Sequence, residues 1–305
     1  MLAIVLALVS AFAYGSSDYT AGLASRGASV IQVTLFGAAT SALVVAAALP
    51  FAALHPPSAA SLAWGALAGL GETVGALALY YGFRHAAFSV AGPLSAVGAA
   101  GFAVLAGLLF GERPSALALT GIVLALPAIV GVSASAVAGQ EDGANQEDRA
   151  GQEEQADEGE GGQARGRFTG VVAGLVAGAC FALLFIGLNR AGSHSGLWPV
   201  ASATAAELTV AVVVAAATRN IRPPAARLGW LAVFSGVTGS AGTIAYFYAT
   251  HDGFLAVTAV LTSLYPAVTI VLARALLGEK LTPLRLTGLG LAAVCVALIA
   301  AGGAG

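Results

Sequence analysis

Residues 108–121 read LLFGERPSALALTG, and residues 275–288 read ALLGEKLTPLRLTG. A single shift of 167 residues lays Gly111-Glu112 on Gly278-Glu279 and Thr120-Gly121 on Thr287-Gly288. The same shift carries Pro56-Pro57 onto Pro223-Pro224, Gly69 onto Gly236, Gly75 onto Gly242, Tyr81 onto Tyr248 and Leu8-Val9 onto Leu175-Val176. One offset works without gaps from the beginning of the chain to its end. Matches of Ala or Leu are cheap in so apolar a composition. Paired Gly-Glu, Thr-Gly and Pro-Pro are not, and the chain reads as a tandem duplication.

What is duplicated is set by composition. Of 305 residues, 58% are hydrophobic and only 9% charged, with a mean hydropathy of +0.87. A soluble domain carries about 25% charged residues because its surface must face water. This chain cannot cover itself with polar groups, so its solvent is lipid. Nine of the fifteen acids lie in the stretch EDGANQEDRAGQEEQADEGE, from Glu141 to Glu160, and the net charge of -2 belongs mostly to that stretch. Basic residues are scattered singly, which excludes a nucleic-acid-binding face.

Spanning the hydrocarbon core takes roughly 20 apolar residues. Such runs fall at about 2–22, 29–52, 60–82, 87–110 and 115–137, then at 168–188, 197–217, 228–250, 254–277 and 282–302. The expected fold is an all-α polytopic membrane protein of ten transmembrane helices. Residues 1–137 form the first five-helix repeat, 138–167 an acidic, disordered linker, and 168–305 the second repeat. The opening LAIVLALVSAFAYG has the length of a signal peptide, but it lacks a basic n-region and has a counterpart in the second half, so it is read as a helix. With five helices per repeat the second copy must enter the membrane from the opposite side. Inverted repeats of this kind build many secondary transporters.

The segment LTSLYPAVTIVLARALLGEKLTPLRLTGLGLAAVCVALI, from Leu261, resembles the EamA repeat of the drug/metabolite transporter superfamily, with its proline, Gly-Glu turn and Thr-Gly helix. LAGLLFGERPSALALTGIVLALPAIVGV, from Leu105, looks like the same element, and AYGSSDYTAGLASR is similar to first helices in a bacterial branch of that family. The resemblance implies ten helices, a central substrate cavity between the repeats and no cofactor. It leaves the substrate open. One departure stands out: the position equivalent to Pro266 is Ala99, and the first repeat places Pro93 earlier.

Outside the linker six acids remain: Asp18, Glu72, Glu112, Glu207, Asp252 and Glu279. Glu112 and Glu279 follow glycines suited to ending a helix. Ser115 and Thr282, the latter with Pro283 at N1, are the expected N-caps of the next helices. These turns are read as helix punctuation. Glu72 and Glu207 lie at the middle of apolar runs, where a charge costs on the order of 3 kcal/mol. Such acids persist where they face protein or water, and they are the first candidates for substrate binding or proton coupling. A packed carboxyl hydrogen-bonded between helices is the structural alternative.

Tyr80, eight residues after Glu72, shares its face. Tyr14, Ser17 and Asp18 share a face of the first helix, with Asp18 near its end. Thr258, Thr262, Tyr265 and Thr269 form a polar stripe on the ninth, beside Pro266, which frees a backbone carbonyl. That stripe reads equally as cavity lining or as packing glue. Glycine pairs such as Gly65/Gly69 and Gly71/Gly75 are scaffold. Cys180 and Cys295 sit in apolar runs and no two histidines have metal-ligand spacing, so neither a disulfide nor a metal site is expected.

The expected activity is a secondary transporter of small metabolites or drugs, amino-acid-like or amine-bearing molecules among them, working by alternating access and read as an exporter. Coupling to protons and direct binding of a substrate cation by the acids both stay open. The expected partners are the lipid bilayer of a bacterial plasma membrane and a small-molecule substrate, with no nucleic acid. No GxxxxGK[ST] loop is present for ATP, and no HExxH or GxSxG supports an intramembrane enzyme. A non-transporting receptor or scaffold is the other class. Orientation is contested. With both termini cytoplasmic, as the family usually has them, short inside loops hold Arg113 and Arg190, while Arg26, Arg84, Arg219, Arg222, Arg227, Lys280 and Arg285 lie outside. The positive-inside rule prefers the reverse.

Overall fold

Lipid offers backbone groups no hydrogen-bond partner, so each spanning segment must satisfy its own, which an α-helix does. The computed structural model describes residues 1–52, 55–85, 88–144, 160–277 and 282–303, and among them the regular structure is entirely helical. The helices are α1 (Leu2–Ser25), α2 (Val30–Ala52), α3 (Ala59–His85), α4 (Phe88–Leu109), α5 (Ala116–Ala144), α6 (Glu160–Arg190), α7 (Trp198–Ala217), α8 (Ala226–Asp252), α9 (Leu255–Thr262), α10 (Tyr265–Leu277) and α11 (Pro283–Gly302). Eight spans among the described residues are long and apolar enough to cross a membrane, counting α9 and α10 together, and Leu94–Leu109 and Ala116–Val132 are shorter apolar helices. Ten membrane helices are consistent with this. Half of the expected linker, 145–159, and the second Gly-Glu turn lie outside the described residues, and the ends of α5 and α6 run into the linker's flanks.

Nine of the ten expected runs appear as single helices. The run at 254–277 does not. It is interrupted at Ser263–Leu264, just before Pro266, and becomes α9 and α10. Proline has no N–H to give the carbonyl four residues earlier, and its ring crowds that carbonyl. Around the break the chain falls back on tighter bonds, Leu264 N to Leu261 O at 3.2 Å and Ala267 N to Leu264 O at 2.9 Å. The expected N-caps are present: Ser115 Oγ accepts from Ala118 N at 3.2 Å, and Thr282 Oγ1 from Arg285 N at 3.3 Å.

The two repeats interleave. Around the bundle the neighbours run α1, α8, α2, α7, α3, α6, α4, α9 and back to α1, alternating between first and second half. Helices α5 and α11 stand outside this ring, packed on each other. Close approach depends on glycine: a Cβ on Gly65 or Gly69 of α3 would run into the Pro199 or Ala203 carbonyl of α7. Hydroxyls stitch other pairs, with Ser10 Oγ donating to Gly242 O at 2.8 Å between α1 and α8, and Ser61 Oγ to Ala191 O at 2.8 Å between α3 and α6.

Candidate functional site

The long helices of the ring carry exposed apolar residues, which locate their lipid-facing sides. On α1 the stripe is Leu2, Val5, Val9 and Phe12; on α3 it is Leu70, Val74, Leu77 and Tyr81. On α7 the exposed positions are Ala205, Thr209, Val212 and Val213. A helix turns about 100° per residue. Glu72 stands two residues from both Leu70 and Val74, and Glu207 two from both Ala205 and Thr209. Asp18 is nine residues from Val9. Each acid therefore lies on the side of its helix opposite the lipid, about 160–180° away.

These inward sides face one another across the ring. Asp18 and Glu72 lie within electrostatic reach of each other, as do Glu72 and Glu207, and Tyr14 is within reach of both glutamates. Yet α1 and α3 do not pack closely together; α8, α2, α7 and α3 follow one another round the wall from α1. Asp18 is exposed although it points inward, while Glu72, Glu207 and Tyr14 are half-buried. Among the described residues the buried side-chain polar atoms with no partner are His251 Nε2 and Ser263 Oγ. The oxygens of Asp18, Glu72 and Glu207 are not among these sealed, unpartnered atoms. They are spread around the wall: no group of three His, Cys, Asp or Glu among the described residues is close enough to hold a metal ion.

The other residues singled out from the sequence divide. The Tyr14 hydroxyl meets Thr243 Oγ1 at 2.9 Å, which fixes the ring against Gly242 of α8. Ser17 Oγ donates to Ser235 O at 2.9 Å and is used in the α1–α8 contact. Thr258 and Thr262 are fully buried. Thr258 Oγ1 donates to Phe254 O at 3.0 Å and Thr262 Oγ1 to Ala7 O at 3.5 Å. Those two threonines act as packing glue. Tyr265 and Pro266 open α10 and are half-buried; the Tyr265 carbonyl lies against Gly15 of α1. Tyr80 is in α3, and its side chain lies outside the described residues. An apolar groove of about 320 Å³ between α3 and α6, lined by Ala78, Tyr81, Val172 and Val176, is separate from the acids.

Sequence reasoning missed Glu112. Its carboxylate accepts from Leu255 N at 2.5 Å and Ala256 N at 2.9 Å, the first amides of α9 in the other repeat. The local sequence points only to the adjacent α5. Arg285, counted among the loop cations, is 4% exposed and drawn into the protein.

A profile of the EamA-like transporter family matches residues 1–134 and again 168–301. The two matches begin 167 residues apart, the offset of the internal repeat. No curated protein matches the chain. Eleven chains of solved structures do. One, titled only "Crystal structure of protein", superposes with a TM-score of 0.73 at 16% identity, covering 97% of this chain and 95% of that one. Identity that low speaks for the fold alone.

Proposed function

Because this chain belongs to the EamA-like transporter family, we propose that it is a secondary carrier that exports amine-bearing small molecules by alternating access, with Glu72, Glu207 and Asp18 as its charged contacts. The two halves are inverted repeats in this reading. Arginine outnumbers lysine twelve to one, and we place the carrier in a bacterial plasma membrane.

One observation supports the reading: three acids from three helices, each turned away from lipid, lie within electrostatic reach of one another, with no ion pair to a cation among the described residues. A carboxylate at membrane depth must be neutralised by a proton, a cation or water. A substrate ammonium supplies the charge in the loaded state, and protons supply it in the empty state. That exchange couples substrate to the proton gradient. Tyr14 adds a half-buried aromatic face and a hydroxyl at the same wall, suited to an aromatic or apolar amine.

The test is proton movement in sealed vesicles carrying a trapped pH dye, challenged with a panel of amino acids and lipophilic amines. Wild-type protein should move protons when a transported amine is added, and the E72Q/E207Q double variant should not. Equal proton movement by both proteins would remove the acids from the mechanism.

A further inference from the structure

The Gly-Glu turn between α4 and α5 lies apart from the three acids, yet it makes a two-bond polar contact between the two repeats. Gly111, at φ +90°, reverses the chain after α4, with Gly111 N bonded to Leu108 O and Glu112 N to Gly107 O, each at 3.0 Å. That double bond is a Schellman ending, and it fixes where Glu112 points. Its carboxylate lies over Gly107, where any side chain would collide with Oε2. From there it binds the Leu255 and Ala256 amides, two donors that a helix start leaves without partners, at the positive end of α9.

Helix α9 is a separate piece. All eight of its residues are buried, and the break at Ser263–Leu264 disconnects it from α10. It lies between α1, α4, α5 and α8, with its start at the Glu112 turn. The two unpartnered buried atoms of the described structure flank it: His251 Nε2 just before the arm and Ser263 Oγ just after it. Leaving a buried hydroxyl unpaired is destabilising. Beyond its packing and the Thr262 bond to Ala7, the docked arm is therefore gripped at its start by Glu112 and opposed by an unsatisfied group at its hinge.

We propose that Glu112 is a latch: it holds α9 docked and this end of the bundle shut, and it releases when the arm swings about Ser263–Leu264 to open the cavity there. The proposal rests on the carrier reading only in that a shut end must open.

Amide hydrogen exchange of the full chain in lipid nanodiscs tests it, read on the segment 255–262. E112A should speed exchange there about tenfold, as the loss of a charge-assisted pair of bonds implies. S263A should slow it by about fivefold or more, because it removes the group that opposes docking. T282A removes a cap confined to α11 and should leave this segment unchanged, and α3 serves as the internal reference in every variant. Should E112A loosen α3 as well, S263A decides. Exchange in 255–262 that S263A leaves alone or accelerates overturns the latch, as does an E112A arm no faster than the native one. Vesicles that move no amine while both variants shift the arm as described would sink the carrier reading and leave the latch standing.

Discussion

Helix α4 and the α9–α10 pair hold equivalent places in their repeats, 167 residues apart, yet one is a continuous rod and the other is jointed. Helix α4 packs along both α5 and α6, whereas α10 barely meets α11. The local difference in sequence at the joint is one residue: Ala99, 5% exposed in the core with Leu184 and Phe185, stands where the second repeat has Pro266. A helix that continues through its midpoint can lock onto two neighbours along its length. A jointed one presents a short arm whose position depends on what grips its end. Duplication thus supplied two arms of one design, and the joint lies in the second, beside Pro266.

The sharpest way to break this contrast is to give α4 the same residue. A99P should cost about 3 kcal/mol or more, because the new ring meets a carbonyl in a buried contact with no bend to accept it. Thermal unfolding in detergent, with the yield of monodisperse protein, measures the loss. A cost under about 1 kcal/mol would mean that α4 bends as readily as its partner and that the joint is not a property of the second repeat. The reverse change, P266A, should have a smaller effect of opposite character. Restoring the missing N–H lets the helix close across Ser263–Leu264, and exchange of the Leu264 and Ala267 amides should slow about tenfold, some 1.4 kcal/mol. Unchanged exchange would shift responsibility for the break from proline to the packing of Gly15 against Tyr265.

How much of this was legible in the sequence follows from what lipid hides. The duplication, the run lengths and the caps at Ser115 and Thr282 depend on local chemistry, and they read directly. So did the inequality of Ala99 and Pro266. The interleaving of the halves did not, because membrane helices are apolar all round and periodicity no longer separates an inner face from an outer one. For the same reason the stripe at Thr258, Thr262 and Thr269 allowed two readings, and the joint dissolves it as a continuous face. Glu72 and Glu207 could be singled out because a charge in lipid has few permissible places, and both are turned away from it. Glu112 was legible as a turn residue only. Its partners, Leu255 and Ala256, are 143 and 144 residues away in sequence, and no spacing rule reaches that far.

The smallest expected effect sharpens the contrast at the far side of the joint. Thr269 Oγ1 donates to Gly15 O at 3.1 Å and to Tyr265 O at 3.3 Å, so it ties α10 to α1 as well as to its own first turn. Valine keeps the shape and removes the hydroxyl. Hydrogen bonds between membrane helices average about 0.6 kcal/mol and reach about 1.7, and T269V should fall within that range by thermal unfolding. T120V, whose hydroxyl serves only its own helix through Ala116 O at 2.8 Å, should fall below it. A T269V cost near the top of the range would make α10 the fixed side of the joint, bonded to α1, and α9 the side that moves. A cost indistinguishable from that of T120V would leave α10 held only by the contact of Val268 and Tyr265 with Gly15, a smooth surface along which a helix can slide. In that case both sides of the joint are free to move, and the latch at Glu112 has more to restrain than the short arm alone.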